Sequence, residues 1–96
     1  MATVVYSARA LSDIETALSR LGADPDTGLR ATTAICSGIA NLAEHPLLGR
    51  RVEGELRELI VSRGATGYVA LYRFLIAEDE VRVLTLISQR DLGFTP

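Results

Sequence analysis

Arginines are the residues of this chain best suited to chemistry, because they carry all of its positive side-chain charge. The sequence has ten basic residues, and every one of them is arginine. A guanidinium keeps its charge when partly buried and binds a carboxylate or a phosphate through two hydrogen bonds. It also stays protonated, so it is a poor general base. High genomic GC content would produce the same bias toward arginine.

Several of these arginines fall in the last third of the chain, from Glu55 to Ser88, which is typical of three consecutive β-strands. Apolar runs of strand length are separated by two short breaks, at residues 63–67 and 77–80. The breaks carry glycine or acidic residues, as hairpin loops usually do. Such a meander is antiparallel and displays side chains on stiff faces. The arginines within it are Arg57, Arg63, Arg73 and Arg82.

Alternation along the strands predicts which of these arginines share a face. Arg57 and Arg63 point the same way from the first strand of the meander. If the second loop has about two or four residues, Arg73 lies opposite Leu84, and Arg73 and Arg82 point the same way as diagonal neighbours. The register of the first hairpin stays open, so whether both pairs share one face stays open as well.

The rest of the chain supplies the elements that position this meander. Thr3 to Tyr6 is a short β run, and Ser7 is a candidate N-cap for a helix over Ala8 to Leu21. A second helix is predicted from Pro25 to Glu44, and Pro46 to Gly54 is predicted as a loop. Two helices joined by a very short turn form an αα-hairpin, and they must bury their apolar stripes against the sheet.

The predicted architecture is therefore α+β, with two layers in the order β-α-α-β-β-β and helices on one sheet face. The other sheet face is left at least partly exposed. Gly38 lies on the apolar stripe of the second helix, which indicates close approach to the neighbouring helix or to the sheet. A chain of 96 residues is expected to form one domain over residues 1–96.

Composition argues against several kinds of site. The net charge of −2 disfavours generic nucleic-acid binding. One cysteine and one histidine cannot form a disulfide within the chain or a zinc site, so we expect no metal and no cofactor. Cys36 is expected to be a small buried residue, and His45 to cap the helix that ends before Pro46. The longest uncharged stretch, Ala31 to Ala43, is too short to span a membrane, and the N-terminus lacks the pattern of a signal peptide. We therefore expect a cytoplasmic protein.

The order and spacing of several segments resemble the RelE/ParE superfamily of bacterial toxins, which belong to type II toxin–antitoxin modules. The segments are VVYSARALSDIE near the start, LAEHPLLGRRV from Leu42, LREL from Leu56, GYVALYR from Gly67 and VLTLISQRDLGF at the end. The resemblance implies a small curved antiparallel sheet with a helical hairpin packed on it. It also implies that Thr3 to Tyr6 lies beside Val81 to Ile87.

The resemblance implies one of two activities. RelE-like members cut messenger RNA on the ribosome, which requires a base for the ribose hydroxyl, an acid for the leaving oxygen and cations for the phosphate. ParE-like members inhibit DNA gyrase and do not cut RNA. For a nuclease, the candidate cations on the meander and after it are Arg57, Arg63, Arg73, Arg82 and Arg90.

The acid–base groups of the ribonuclease members are poorly matched here. The chain has no lysine, and Ser88 stands where many relatives have a histidine. The acidic pI of about 5.3 also disfavours strong attraction to RNA. These features favour a ParE-like inhibitor of gyrase over a nuclease that acts on the ribosome. A third hypothesis is a non-toxic member that only binds its antitoxin or regulates transcription with it.

The resemblance also implies a partner, an antitoxin encoded by the adjacent gene. The middle strand of the meander is apolar on both faces, and two helices can cover only one of them. The uncovered face is expected to bind an acidic segment of the antitoxin. Self-association into a homodimer is the alternative, and ion pairs with Glu53, Glu55, Glu58 and Glu80 are the alternative role for the arginines. The predicted partner-binding residues are Arg50, Arg57, Arg63, Tyr72, Arg73 and Arg90.

Overall fold

In the described part of the chain, five strands form one sheet, and a helical hairpin follows the first strand in the sequence. The computed structural model describes residues 1–20, 25–62 and 67–88. The strands lie in the order β1-β5-β4-β3-β2 across the sheet. The elements are β1 (Thr3–Tyr6), α1 (Ala8–Arg20), α2 (Pro25–Ala40), a 3₁₀ turn (Asn41–Ala43), β2 (Arg50–Glu53), β3 (Leu56–Ser62), β4 (Tyr68–Leu75) and β5 (Glu80–Ser88).

The predicted α+β fold is confirmed, and β1 lies beside β5 as expected, with Thr3 paired to Glu80 and Tyr6 to Val83. The sheet is mixed, however, because β1 runs parallel to β5 while the other neighbours are antiparallel. The helical hairpin carries the chain from β1 at one edge of the sheet to β2 at the other. Leu21, the last residue of the first predicted helix, lies outside the described residues.

The segment from Pro46 to Gly54 was predicted as a loop, and this prediction is wrong in part because the segment contains β2. All four residues of β2 are exposed. An exposed edge strand with the sequence RRVE has no alternation of apolar and polar residues, so the sequence gives no strand signal. Gly54 follows β2 with a φ of 55° and forms the tight turn into β3.

The core lies between the helices and one face of the sheet. Ile35, Ile39 and Leu42 form a fully buried stripe that packs toward Tyr72 and Val83. Gly38 allows α2 to approach the sheet, because a Cβ at this position would lie 3.3 Å from Cγ1 of Val61. The predicted close approach is therefore confirmed, and the neighbour is the sheet.

Cys36 was predicted to be buried, and this prediction is wrong because its side chain is exposed. The residue directly follows Ile35, which belongs to the buried stripe of α2. One step along a helix rotates a side chain by about 100°, so Cys36 lies outside that stripe.

Ser7 and Asp13 form hydrogen bonds with backbone groups at the edge of β5, beyond the point where β1 ends. The N–H of Ser7 donates to the Val83 carbonyl, and the Ser7 hydroxyl donates to the Leu84 carbonyl at 2.8 Å. The same hydroxyl accepts from the N–H of Ala10, so Ser7 is the N-cap predicted for α1. Further along the edge, Asp13 accepts hydrogen bonds from the Thr85 hydroxyl and, at 3.0 Å, from the Leu86 N–H.

These contacts make Asp13 an electrostatic link between α1 and the sheet. Burial alone raises the pKa of the Asp13 carboxyl, but the hydrogen bonds from Thr85 and Leu86 and the nearby charge of Arg9 outweigh burial. The pKa is therefore lowered from its ordinary value of 3.8. A carboxyl whose pKa is lowered by folding stabilises the native state fully above its unfolded pKa. That contribution is lost as the pH falls through the folded pKa.

Replacing Asp13 by asparagine is expected to lower the free energy of unfolding at pH 7 by about 2 kcal/mol, because two hydrogen bonds to a charged acceptor are weakened. The wild-type protein should lose stability as the pH falls below about 4, and the variant should show a shallower decline. Urea unfolding at pH 7 and across the acid range measures both effects.

Glu15→Gln is the matched control, because Glu15 lies exposed on the same helix. It should unfold at the wild-type urea concentration at pH 7. An Asp13→Asn variant with wild-type stability and an unchanged acid decline would contradict the proposed link.

Candidate partner-binding surface

The register of the meander places the predicted arginines on opposite faces of the sheet. Arg57 pairs with Tyr72, and Arg73 pairs with Leu56. Directly paired residues point to the same side, and Tyr72 is in the core beneath the helices. Arg57 therefore lies on the helical side, and Arg73 lies on the face that the helices leave uncovered. We call this uncovered side the open face.

Arg73 and Arg82 are directly paired on the open face. The prediction that they share a face is confirmed, but the predicted pairing of Arg73 with Leu84 is wrong. The hairpin closes with Leu75 opposite Glu80, so the loop spans residues 76–79. Ile76 is an exposed residue of this loop. The register then skips Leu84, since Tyr72 pairs with Val83 and Leu71 with Thr85.

Two like charges in direct cross-strand contact disfavour one another unless an anion lies between them. Arg82 has such an anion, because its Nε donates to the Glu80 carboxylate at 2.7 Å. Arg73 is exposed, and it makes no ion pair or side-chain hydrogen bond with the residues that the structure describes. Among the described residues of the open face, Arg73 therefore has a guanidinium that could bind an external anion.

Apolar side chains flank the two arginines. Leu56 of β3 pairs with Arg73 on one side, and Val5 of β1 pairs with Arg82 on the other. Val5 is 38% exposed, and Leu56 is half-buried. The half-buried Leu71 and Leu75 lie on the same face of β4. We call the set Leu56, Arg73, Arg82 and Val5 the arginine row, because it crosses four adjacent strands.

Tyr72 and Arg57, both predicted to contact a partner, hold the segment from Pro46 to Gly49 through hydrogen bonds. The side chain of Tyr72 is fully buried. Its hydroxyl donates to the Pro46 carbonyl at 2.8 Å and accepts from the Gly49 N–H at 2.8 Å. Nη1 of Arg57 donates to the Gly49 carbonyl at 2.8 Å and to the Leu47 carbonyl at 3.3 Å.

Burial favours the protonated form of the Tyr72 hydroxyl. Burial raises the pKa of Tyr72, and the Gly49 N–H and the charge of Arg57 offset part of that rise. A protonated hydroxyl can both donate and accept, which is what its two partners require. The fully buried Tyr72 offers no side-chain surface to a partner, whereas Arg57 is half-buried and its contact with a partner stays a prediction. Their observed role is to position the chain between the helices and β2.

The segment from Pro46 to Gly49 carries two neighbouring exposed leucines. Leu47 is 60% exposed and Leu48 is 55% exposed. They line a cleft of about 430 Å³ together with His45, Pro46 and Phe74. The N–H of His45 donates to the Asn41 carbonyl, but the C-cap of the 3₁₀ turn is Glu44, one residue before the predicted cap.

Of the remaining predicted partner-binding residues, one forms an ion pair and two lie outside the described residues. Arg50 donates to the Glu58 carboxylate through Nε at 3.0 Å and through Nη2, and with Arg82 and Glu80 this forms two of the expected ion pairs. Exposed pairs of this kind contribute at most about 1 kcal/mol. Arg63 and Arg90 lie outside the described residues. Ser88 is buried, with 9% exposure.

Neither a metal site nor a membrane span is found in the described part of the chain. Residues 1–20, 25–62 and 67–88 contain no group of three or more histidine, cysteine, aspartate or glutamate residues placed to hold a metal ion. Within the same ranges, no helix combines the length and the apolar composition needed to cross a membrane.

These features define a small α+β protein that has a helical hairpin on one side of a mixed sheet and an arginine-bearing open face on the other. Residues 4–93 match the family described as the ParE toxin of the type II toxin–antitoxin system, parDE. The chain belongs to this ParE toxin family, within the RelE/ParE superfamily that the sequence motifs indicated. It is 44% identical over 75 residues to Toxin RelE3 of Caulobacter vibrioides, an alignment that covers 76% of this chain and 80% of that protein.

Solved structures of toxin–antitoxin systems share the fold. The chromosomal ParDE system from P. aeruginosa superposes with a TM-score of 0.73 at 18% identity, covering 92% of this chain and 96% of that chain. The RelBE toxin–antitoxin complex of E. coli gives a TM-score of 0.62 at 12% identity, again covering 92% and 96%. The RelBE2 complex from Mycobacterium tuberculosis gives 0.60 at 20% identity, covering 91% and 96%.

Removal of the Tyr72 hydroxyl is expected to destabilise the protein. Tyr72→Phe leaves the buried Gly49 N–H and the Pro46 carbonyl without their partner, which should lower the free energy of unfolding by about 1–3 kcal/mol. Urea unfolding monitored by circular dichroism measures the change. Wild-type stability in this variant would show that water can replace the two hydrogen bonds of the Tyr72 hydroxyl with no loss of free energy of unfolding.

Alanine substitution at two glycines separates a steric requirement from a conformational one. A Cβ at Gly49 would lie 2.6 Å from Cε1 of Tyr72 and 2.7 Å from the Glu58 carbonyl oxygen, so Gly49→Ala should cost about 3 kcal/mol or more. A Cβ at Gly54 would meet nothing within 4 Å, so Gly54→Ala should cost only about 1–2 kcal/mol for its positive φ. Equal losses in the two variants would contradict the close packing of Gly49 on Tyr72.

Proposed function

We propose that this toxin inhibits bacterial growth by binding DNA gyrase, without cutting RNA, and that a cognate antitoxin neutralises it. The observation that carries the proposal is the separation of the arginines by the sheet. Arg57 lies on the helical side and is bound to two carbonyls, whereas Arg73 and Arg82 lie on the open face. A nuclease needs its cations and its acid–base groups to converge on one phosphate.

The family match supports the same proposal, because the ParE description extends over residues 4–93. The open face offers a paired set of cations, but its described residues include no histidine or lysine to move a proton. Arginine stays protonated at neutral pH, so Arg73 and Arg82 are suited to holding an anion rather than to acid–base catalysis.

A ribosome-dependent endonuclease is the second candidate, and two observations favour it. The chain is 44% identical to a protein named Toxin RelE3. Arg73 and Arg82 are adjacent on one face, where they could neutralise a phosphate during cleavage. Catalysis by such a nuclease would need an acid and a base in addition to Arg73 and Arg82. A non-toxic module that only binds its antitoxin or regulates transcription is the third candidate.

The proposed partner is an antitoxin encoded by the adjacent gene. The structural neighbours from P. aeruginosa, M. tuberculosis and E. coli come from toxin–antitoxin systems, which supports a partner of this kind. Antitoxin binding and growth inhibition are separate properties, so each has its own assay.

The gyrase proposal predicts that the purified protein blocks supercoiling of relaxed plasmid by gyrase and leaves messenger RNA intact in a translating extract. Prior addition of the adjacent gene's product should restore supercoiling. Cleaved messenger RNA, with cleavage lost in Arg73→Ala or Arg90→Ala, would show that the protein is instead a nuclease. A protein that leaves both supercoiling and RNA unchanged, and does not slow growth when expressed, would support the non-toxic module.

A further inference from the structure

We propose that an apolar cleft on the helical side of the sheet is the docking site for the protein target of this toxin. The cleft is lined by His45, Pro46, Leu47, Leu48 and Phe74 and has a volume of about 430 Å³. We call it the leucine cleft. Its proposed occupant is a segment of the target with a large apolar side chain flanked by arginine or lysine. This inference rests on the proposed function and specifies the chemistry by which the target is bound.

The fold presents the leucines of the cleft on a rigid turn. The N–H of Leu48 donates to the His45 carbonyl at 3.0 Å, which closes a four-residue turn with Pro46 at its second position. Proline is favoured there because its ring fixes φ. The hydrogen bonds of Tyr72 and Arg57 then hold the turn on the sheet. A surface that is already ordered loses little conformational entropy on binding, so its apolar contacts contribute more fully to affinity.

The apolar surface extends beyond the two leucines. Leu47 and Leu48 are largely exposed, although the turn that carries them is fixed. Phe74 pairs with Val81 on the helical side of the sheet, is half-buried and lines the cleft. Ile76, two residues further on in the hairpin loop, is 76% exposed. Several exposed apolar side chains close together on a small protein are typical of an interaction surface.

Carboxylates stand next to this apolar surface. Glu44 directly precedes the turn, and the hairpin loop after Phe74 carries Glu78 and Asp79. All three acidic residues are exposed, and none of them forms an ion pair or a side-chain hydrogen bond with another described residue. Arg57, which contacts the turn, is half-buried and bound to two carbonyls. The exposed rim of the cleft is therefore acidic.

Backbone hydrogen bonds hold the two acidic segments near each other. The N–H of Ala2 donates to the Ala43 carbonyl at 2.7 Å, and the N–H of Thr3 donates to the Asp79 carbonyl at 3.0 Å. Consecutive residues are only about 3.8 Å apart, so the segment that carries Glu44 and the hairpin loop flank the same short stretch of backbone. Both acidic segments therefore lie at the end of the molecule that holds the leucine cleft.

This combination of an apolar cleft and an acidic rim determines which occupant fits. Charge-assisted hydrogen bonds from arginine or lysine would neutralise the rim while an apolar side chain fills the cleft. A nucleic acid is disfavoured because its phosphates would meet the carboxylates. A second copy of the chain is disfavoured because a symmetric contact through the cleft brings two acidic rims together. An acidic segment of the antitoxin suits the arginine row instead.

The first test compares exposed leucines inside and outside the cleft. Leu47→Ser and Leu48→Ser should each raise the protein concentration that half-inhibits gyrase supercoiling by about tenfold, because each removes an apolar contact at the centre of the interface. Leu11→Ser is the matched control, since Leu11 is 52% exposed on α1 and lies outside the cleft. It should stay within about twofold of wild type. All variants should match wild type in circular dichroism and urea unfolding.

The second test concerns the charge of the rim. Glu44→Lys and Glu78→Lys should each weaken inhibition by a few-fold, and the difference from wild type should shrink at high salt because exposed charges are screened. Glu15→Lys makes the same change in net charge at an exposed position of α1 and should inhibit like wild type. An equal loss in Glu15→Lys would show that net charge matters and would contradict a contact at the rim.

Growth of cells that express the variants separates the cleft from the identity of the target. If the wild-type protein slows growth without blocking supercoiling, the gyrase proposal is wrong, and normal growth with Leu47→Ser and Leu48→Ser still supports the cleft. Unchanged inhibition in both leucine variants overturns the cleft and leaves the proposed function standing. A wild-type protein that neither slows growth nor blocks supercoiling overturns both.

Two further measurements distinguish the target from the other occupants. Titration calorimetry with the adjacent gene's product should give the same affinity for wild type and for the leucine variants. Analytical ultracentrifugation should show no dimer that these substitutions abolish. Loss of affinity in the first measurement would assign the cleft to the antitoxin, and loss of a dimer in the second would assign it to another copy of the chain. Either result overturns the proposal.

Discussion

Two helices can cover only one face of this sheet, and most other features of the protein depend on that limit. Helices α1 and α2 have 13 and 16 residues and lie over a sheet of five strands. Five strands span about 20 Å, which is the width of two packed helices of about 10 Å each. The helical hairpin therefore covers one face, and the opposite face must combine apolar side chains with charge. That face carries the directly paired Arg73 and Arg82.

The helical layer is tied to the sheet at two places by buried or half-buried polar groups. Asp13 and Ser7 form hydrogen bonds with backbone groups of β5 beyond the end of β1. Tyr72 holds the segment that leads from α2 into β2. Gly49 is required at the second place, because any side chain would overlap Tyr72. These contacts fix the strands that carry Arg73 and Arg82, so residues far from the open face determine its geometry.

The sequence predicted those elements whose residues repeat with a clear period. The apolar stripe that contains Gly38 was predicted to lie on a helix, which is α2, and Ser7 was predicted as the cap of α1. The face shared by Arg73 and Arg82 followed from strand alternation. The exposed strand β2 was missed because its polar sequence has no period that distinguishes it from a loop. The side occupied by Arg57 could not be predicted, since it depends on the register of the first hairpin.

The role of Tyr72 was also beyond sequence reasoning, because its partners, Pro46 and Gly49, are distant in the chain and meet it only after folding. An aromatic residue in an apolar strand indicates burial, but its hydroxyl partners follow from tertiary packing alone. The difference between the two faces of the sheet can be tested by nuclear magnetic resonance of the ¹⁵N-labelled chain, titrated with the unlabelled product of the adjacent gene. Backbone and arginine side-chain signals should shift along the arginine row, at Val5, Leu56, Arg73 and Arg82, while those of exposed residues on α2 should not. Shifts confined to α1 and α2, with the open face unchanged, would contradict it.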